Sequence, residues 1–477
     1  MSTHSTGPTA AGQGPTAAGR TRTVGQSAIR KATWRLIPFV ALLFFINYLD
    51  RTAISFAAPN GMNDDLLLTA AQYGFASGVF FIGYIILEVP SNLALHRFGA
   101  RKWLARILVT WGIVATLFTW VQDANQLYVL RFLLGVTEAG FFPGAILFIT
   151  LWFPRQHRVK ALAGFYLAQP LTTVVGAPLA GLLMQHGDGF FGLEGWRFMF
   201  LCVGVPAVVL GVACWFYLTD RPEDAAWLTA DEKTWLRNEL DSEAALSQRS
   251  AGSPAKHSLR SVLALPRVWA LAVAYFGLIY GLYSLAFFLP TIISGFEERF
   301  GTDFTVFERG LITAIPYVPA AVALALWSRH VARVGRKPWH IAVPILFAGV
   351  SVPVALYMGS PAATIVVIAV TACGIFMALP NFWSLPPEFL TGAAAAAGIA
   401  FINTFGNIGG FSAPYVTGAL TDATGDEKLA LWLTGGLLVM SAVVLLVLAR
   451  RNQVAPTGGT GTSTTTGTTD TTARSAS

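Results

Sequence analysis

The sequence predicts an all-α membrane protein with twelve transmembrane helices. Of its 477 residues, 54% are hydrophobic and only 12% are charged, a composition that excludes an ordinary soluble enzyme. The apolar residues form twelve runs of roughly 20 residues, the length that a helix needs to cross a bilayer. Lysine and arginine are concentrated in alternate loops, so the net charge of +7 indicates membrane topology and no nucleic-acid partner.

The twelve runs are the predicted spanning helices, and their even number places both termini on one side of the membrane. The N-terminal tail, the 2–3, 4–5 and 8–9 connections and the C-terminal exit carry most of the Lys and Arg, whereas the other loops carry mainly Asp and Glu. By the positive-inside rule, both termini are cytoplasmic. The runs are residues 36–58, 74–95, 104–121, 127–151, 161–185, 196–218, 267–290, 310–329, 340–358, 362–383, 396–419 and 429–450.

Loop lengths and composition predict five regions. Residues 1–35 are a polar cytoplasmic tail that we expect to be disordered, without the apolar core of a signal peptide. Residues 36–218 form six helices, and residues 267–451 form six more. The linker between them, 219–266, begins a surface helix with Thr229 as N-cap and Glu232 three residues later. Residues 452–477, rich in Gly, Ser and Thr, form a second disordered cytoplasmic tail.

The two sets of six helices resemble each other. The segment Arg97–Lys102 (RFGARK) recurs as Arg333–Lys337 (RVGRK), and Ala177-Pro178 with Gly181 recurs as Ala413-Pro414 with Gly418. Two parallel six-helix repeats are typical of secondary transporters whose site lies between the repeats near the middle of the membrane. The sequence contains no phosphate-binding loop of the Gly-x-x-x-x-Gly-Lys-[Ser/Thr] type, which argues against a nucleotide-driven pump.

Four motifs together carry a resemblance to a known family: Asn47–Arg51 (NYLDR), Glu88–Asn92 (EVPSN), Arg131–Gly144 (RFLLGVTEAGFFPG) and Asn403–Tyr415 (NTFGNIGGFSAPY). With them, the chain resembles the major facilitator superfamily, and within it the anion:cation symporters, which include tartrate, phthalate, hydroxyphenylacetate and sugar-acid permeases. The resemblance implies a multi-pass transporter of a bacterial cytoplasmic membrane. It would have no enzymatic activity and no cofactor or metal, would act as a monomer surrounded by lipid, and would have a small organic anion and protons as partners.

The resemblance also implies a gating loop after helix 2 and a copy of it after helix 8. The first loop departs from the family pattern, since Asn92 replaces a glycine and His96 replaces an aspartate, so the loop lacks the family's carboxylate at that position. The predicted gating or structural residues are Glu88, His96, Arg97, Gly99, Arg101, Lys102, Arg333, Gly335 and Arg336.

Predicted helices 1 and 4 each contain two charged residues, and such residues are costly to insert into a membrane. Asp50 and Arg51 are in helix 1, and Arg131 and Glu138 are in helix 4. Asp50 and Arg131 are at similar depth, so we predict that they pair if the two helices are neighbours. Either the pair is a permanent bridge, or it forms and breaks as carboxylates bind and release protons; the resemblance favours the second interpretation. A simpler alternative is that helix 1 only anchors the chain and that the side chains of Asp50 and Arg51 extend to the membrane surface.

Glu138 is the preferred proton carrier. Its neighbours Gly135, Ala139 and Gly140 are apolar, and burial among them disfavours a charged carboxylate. The seven histidines lie in tails, loops or helix ends, so proton coupling must use carboxylates. Glu88 is another candidate, although we favour a structural hydrogen bond to backbone groups freed by Pro90.

Arg51 is the predicted substrate-binding residue, because an organic carboxylate needs a counter-charge and a guanidinium offers two parallel donors. The resemblance implies that Tyr48, Tyr84, Gln169, Trp383, Asn403 and Asn407 surround the same cavity. The alternative for the aromatic residues is ordinary packing, and for the asparagines it is hydrogen bonding between helices.

The predicted function is the import of a small organic anion with protons by alternating access. Two alternatives stay open: a facilitator or exporter of another small solute, and a membrane receptor that binds without transport.

Overall fold

The computed structural model describes residues 17–250, 263–335, 337–386, 390 and 392–454, and the described residues form helices without any strand. Ten of its helical stretches are long and apolar enough to cross a membrane. The shorter apolar helix Trp339–Ala355 and the helix Gly392–Thr424 complete the twelve spans. The predicted all-α, twelve-helix class is therefore confirmed.

The first set of six spans contains eight helices, because two spans are each divided into two helices. They are α1 (Ala17–Ala57), α2 (Ala70–Phe98), α3 (Ala100–Leu117), α4 (Ala124–Glu138) followed by α5 (Phe141–Trp152), α6 (Arg155–Tyr166) followed by α7 (Ala168–Gly187), and α8 (Gly195–Tyr217). The helix α9 (Ala230–Ser250) follows this first set.

The second set of six spans contains seven helices. They are α10 (Pro266–Ser294), α11 (Val306–Ala314) followed by α12 (Tyr317–Val334), α13 (Trp339–Ala355), α14 (Pro361–Phe382), α15 (Gly392–Thr424) and α16 (Lys428–Val454). Because successive spans run in opposite directions, α1 begins and α16 ends at the same end of the bundle. We call this the termini end, and the opposite one the far end.

The prediction of a disordered N-terminal tail is wrong for residues 17–35, which belong to α1. Ala28 and Ala32 are fully buried, and the Lys31 ammonium lies 2.9 Å from the Glu232 carboxylate of α9. The polar segment is therefore helical because one face packs on α9 and its charged residues have partners there. The rest of this tail, and most of the predicted C-terminal one, lies outside the described residues.

The predicted capped helix in the linker is α9. The Thr229 N–H donates to Glu232 Oε2 over 2.9 Å, and the Glu232 N–H donates to Thr229 Oγ1 over 3.3 Å, which is the reciprocal capping box. At its other end, Glu243 accepts a hydrogen bond of 3.0 Å from Arg158 of α6. The contacts of α9 with α1 and α6 attach it to the first set of helices.

The fourth span is interrupted near its middle, between α4 and α5. Gly140 has φ of +88°, and a Cβ at this position would lie 2.2 Å from Ser91 Oγ. The Ser91 hydroxyl donates to the Ala139 carbonyl over 2.6 Å, which satisfies a backbone group that the interruption exposes. As a result, Glu138 is the last residue of α4 and lies inside the bundle.

Candidate substrate site between the two sets of helices

A central cavity lies between the two sets of helices. All seven residues that the sequence singled out for substrate binding line it, and Arg51 is the only charged side chain among its described lining residues. The seven are Tyr48, Arg51, Tyr84, Gln169, Trp383, Asn403 and Asn407.

Arg51 connects the two sets of helices at this cavity. Its Nη2 and Nε donate to Glu138 Oε2 over 2.8 and 3.3 Å, and its Nη1 donates to the Tyr283 hydroxyl of α10 over 3.2 Å. The Arg51 side chain is 12% exposed and the Glu138 side chain is fully buried. The rings of Phe80 and Tyr84 lie 4.8 and 5.3 Å from the guanidinium carbon. The cation is thus held by one carboxylate and aromatic faces at the cavity wall.

The predicted Asp50–Arg131 pair is wrong. Asp50 Oδ2 accepts a hydrogen bond of 2.7 Å from Trp111 Nε1 of α3, and Asp50 does not line the cavity. Neighbouring residues on a helix point about 100° apart. Because Arg51 faces the cavity and α4, the Asp50 side chain faces α3 instead.

Arg131 makes its contacts with the backbone. Its guanidinium donates to the carbonyl oxygens of Ala76, Ser77 and Arg51 over 3.1, 3.2 and 3.3 Å. The side chain is 1% exposed. Arg131 therefore joins α4 to α2 and α1 as a structural clamp, while the carboxylate assigned to it, that of Asp50, binds Trp111 instead.

Glu88 also has a different partner from the predicted one. Its Oε1 accepts a hydrogen bond of 2.7 Å from Asn403 Nδ2 of α15, so it contacts the second set of helices and not the backbone at Pro90. The bond fixes the amide of Asn403, whose side chain lines the cavity. Glu88 is thus a supporting residue for one wall of the site.

Sequence reasoning missed the contribution of α10. Tyr275, Ile279, Leu282 and Tyr283 line the cavity, and their spacing places them on one face of a helix. Tyr283 also binds Arg51 directly. The signal was present as an aromatic stripe with helical periodicity, but such a stripe usually packs in a core and does not by itself indicate a site.

The predicted gating loop, which lies at the termini end, receives an acidic partner from elsewhere in the chain. Gly99 has φ of +88° and precedes α3. The Arg101 N–H donates to Asp220 Oδ1 over 2.8 Å, and its guanidinium lies 3.7 Å from Asp220 Oδ2. Asp220 follows α8, so it supplies a carboxylate to the loop in which His96 replaces the family aspartate.

The other predicted gating residues have few described contacts. Arg97 lies 5.6 Å from the Phe98 ring, and Lys102 and Arg333 are exposed. Gly335 has φ of +77° after α12. The side chain of His96 and the whole of Arg336 lie outside the described residues.

A second cavity, of about 490 Å³, lies within the second set of helices. Most of its lining residues belong to α10, α13, α14 and α16. They include both apolar residues and hydroxyl groups, and the charged residues Arg299, Asp426, Glu427 and Lys428 reach the cavity near the far end. It shares no lining residue with the central cavity.

A twelve-helix bundle with a cavity between two sets of six spans defines a membrane transporter. Residues 40–414 match the family profile of the Major Facilitator Superfamily, and the chain belongs to this superfamily. It is therefore a transport protein and not an enzyme, as the sequence predicted.

Several bacterial relatives are similar over nearly the whole chain. An Agrobacterium vitis protein described as a tartrate transporter is 46% identical over 422 residues, covering 88% of this chain and 94% of the relative. A quinolone resistance transporter of Acinetobacter baumannii is 38% identical, covering 89% and 94%. The inner membrane transport protein RhmT of Escherichia coli K12 is 35% identical, covering 90% and 97%.

Solved structures show the same fold at low identity. The xylose transporter XylE from E. coli, in an inward open conformation, has a TM-score of 0.68 at 17% identity, covering 88% of this chain and 95% of that one. A bacterial homologue of the human lysosomal transporter Spinster has a TM-score of 0.66 at 17% identity, covering 87% and 96%.

Proposed function

We propose that this chain imports a small organic anion together with protons by alternating access. The anion carries a carboxylate, which binds Arg51 in the central cavity. The protein acts as a monomer in a bacterial cytoplasmic membrane with both termini in the cytoplasm. The names of the tartrate transporter of A. vitis and the inner membrane protein RhmT support the substrate class and the location.

The observation that carries this proposal is the ion pair of Arg51 and Glu138 at the cavity wall, with 2.8 Å between Nη2 and Oε2. Two carboxylates, that of Glu138 and that of the substrate, would compete for one guanidinium. A charged Glu138 without its partner would be an uncompensated buried charge, which is strongly unfavourable. Substrate binding to Arg51 is therefore most favourable when Glu138 carries a proton, and this links the anion to the proton.

The transport cycle follows from this competition. Protonation of Glu138 from outside releases Arg51, and the anion takes the place of the Glu138 carboxylate. The two sets of helices then rock so that the cavity opens to the cytoplasm, where the anion leaves and Glu138 loses its proton. Asp50, close to Glu138 and hydrogen-bonded to Trp111, is the second carboxylate in this proton path. Arg131 holds α1, α2 and α4 in place during the cycle.

A test uses proteoliposomes with an imposed pH gradient and a panel of hydroxy-diacids, sugar acids and aromatic acids. We expect Glu138→Gln to abolish gradient-driven accumulation, because its neutral amide cannot release a proton. The same variant should retain exchange of internal for external anion, since Arg51 is then free to bind substrate. Asp50→Asn should weaken accumulation less than Glu138→Gln.

The matched control is Glu243→Gln, a carboxylate that pairs with Arg158 outside the bundle centre. It should accumulate anion like the wild type. Accumulation at the wild-type level in both Glu138→Gln and Asp50→Asn would rule out the proton-coupling proposal.

Export of an aromatic solute is the second candidate function. Nine lining residues of the central cavity are aromatic: Phe44, Tyr48, Tyr84, Phe142, Tyr166, Tyr275, Tyr283, Phe376 and Trp383. A relative is named as a quinolone resistance transporter. Inside-out vesicles that accumulate aromatic acids, while right-side-out vesicles exclude them, would favour export.

A further inference from the structure

We propose that Asp422 and Gln185 form a two-part clamp that holds the far end of the transporter closed. Each side chain extends from one set of helices and caps the N-terminus of a helix in the other set. The proposal rests on the alternating access of the proposed function, and it adds to it two residues that lie outside the central cavity.

Asp422, near the end of α15, caps α2. Its Oδ1 and Oδ2 accept hydrogen bonds from the backbone N–H groups of Ala70 and Ala71 over 3.0 and 2.9 Å. The first N–H groups of a helix have no partner within the helix. Thr69 caps Gln72 within the same chain segment, so Asp422 satisfies the two donors that Thr69 leaves free. A carboxylate there also interacts favourably with the helix dipole.

Gln185, near the end of α7, does the same for α11. Its Oε1 accepts a hydrogen bond of 3.0 Å from the N–H of Phe307. Thr305 and Glu308 form the local capping box of this helix, which parallels that of Thr69 and Gln72. Both helix starts are therefore capped twice, once from their own segment and once from the other set.

The two clamps occupy matching positions in the repeats. Asp422 follows Gly418 by four residues, and Gln185 follows Gly181 by four residues. A Cβ at Gly418 would lie 2.0 Å from the Ala70 carbonyl oxygen, and one at Gly181 would lie 2.7 Å from that of Val306. Each cap thus lies one helical turn beyond a point where the two sets are in backbone contact.

These bonds distinguish the closed far end from the open one. Opening must separate α2 from α15 and α7 from α11, and each separation withdraws the capping oxygen from its N–H group. The local caps within each segment do not change. The cross-set caps therefore stabilise only the closed state, and only interactions that differ between two states shift their equilibrium.

The test measures this equilibrium by the distance between two spin labels at the far end. The labels are attached to cysteines that replace the exposed residues Asp64 and Glu298, in a chain whose Cys202, Cys214 and Cys373 are replaced by alanine. Measurement without substrate and without a pH gradient separates the clamp from the anion proposal. A transporter that fails to accumulate any anion still reports on its clamp.

We expect Asp422→Ala to raise the ratio of long to short distances roughly fivefold, because loss of a helix N-cap changes an equilibrium constant by about that factor. Gln185→Ala removes a single bond and should raise it about threefold. The double variant should approach the product of the two, because the sites are separate. Asp422→Asn keeps one acceptor oxygen and should fall between wild type and Asp422→Ala.

The matched control is Asp123→Ala. Asp123 caps α4 at the same end of the bundle through the N–H groups of Asn125 and Gln126 over 2.8 and 3.0 Å, but within the first set. It should leave the ratio unchanged. If Asp422→Ala fails to fold, Asp422→Asn and Gln185→Ala decide the question. An unchanged ratio in all the folded Asp422 and Gln185 variants, or an equal shift in Asp123→Ala, would overturn the clamp.

Discussion

The two walls of the central cavity differ in charge. The first set of helices provides Arg51, with Glu138 bound to it and Asp50 close by. The second set contributes aromatic rings and amides, among them Tyr283 and Asn407, without a charged side chain among the described lining residues. Under the proposed function, the first wall would recognise charge and bind the proton. The second wall would then provide shape and hydrogen bonds, which decide between anions of equal charge.

Arg51 and Arg131 of the first set show why position alone does not define a role. Arg131 donates hydrogen bonds to three backbone carbonyl groups of α1 and α2. Arg51 binds side chains only, one from each set of helices, and part of it is exposed to the cavity. Backbone carbonyls do not titrate, whereas a carboxylate partner does. Arg51 is thus the arginine whose binding partner can change during transport.

The largest expected effect comes from removing the charge of the first wall. Arg51→Ala should lower kcat/KM for every transported anion at least about 30-fold, because a desolvated charge pair loses one partner. Arg51→Lys keeps the charge but loses the two-donor fork, so its loss should be smaller. Initial uptake rates across the acid panel provide the measurement.

A double variant separates recognition from folding. Arg51→Gln/Glu138→Gln removes both charges of the pair, so the protein should elute as a folded monomer but fail to take up anions. Arg158→Ala breaks an ion pair outside the bundle centre and should leave uptake unchanged. Normal uptake by the double variant would show that the first wall does not recognise charge.

A smaller effect is expected at the second wall. Asn407 lines the cavity, and its Nδ2 has no hydrogen-bond partner in the described part of the chain, so a substrate oxygen can accept from it. Asn407→Ala should raise KM roughly three- to tenfold for hydroxy-acids, which can use this donor, and less for plain aromatic acids.

The comparison for this variant is Asn381→Ala, since the Asn381 amide donates to its own helix at the Met377 carbonyl over 2.8 Å. That change should leave the ranking of substrates as in the wild type. If Asn407→Ala raised KM equally for all anions, the second wall would take part in charge recognition as well as the first.

The fold was predictable because membrane spans leave a strong signal in a sequence. Twelve apolar runs, the alternating loop charges and four family motifs were sufficient for the class and for the seven residues around the cavity. Breaks inside spans were not predictable from hydropathy, since Glu138 is the only charged residue between Phe132 and Trp152 and the apolar run continues past Gly140. The break depends on a positive φ and on contact with Ser91, which lies in another helix.

Pairing between charges was the part that sequence reasoning could not predict. Depth along a helix follows from residue number, and it placed Asp50 and Arg131 at the same level. Rotation about the helix axis decides the partner, and rotation depends on packing with neighbouring helices. Trp111 donates a hydrogen bond to Asp50, and Arg131 donates to the backbone of α2. The helical start of α1 was missed for a related reason, because its partner α9 is distant in sequence.

The smallest effect is expected at Glu232, outside the membrane, where a charge is present but has no role in the proposed cycle. Burial opposes ionisation, but hydrogen bonds from Lys31, the Thr229 backbone and Ser27 lower the pKa of Glu232 to about 2. Because the pKa of Glu232 is lower in the folded state, its ionised carboxylate stabilises the fold at pH values above the usual pKa of a glutamate. This contribution is lost as the pH falls towards 2. Between pH 5 and 8 it is constant, unlike proton-coupled uptake.

Glu232→Ala should therefore speed hydrogen exchange in residues 17–35 and α9 roughly fivefold, with the pH dependence of uptake unchanged. The exposed neighbour Asp231, replaced by alanine, should alter exchange little. A shifted pH profile of uptake in Glu232→Ala would extend proton coupling beyond the first wall of the cavity.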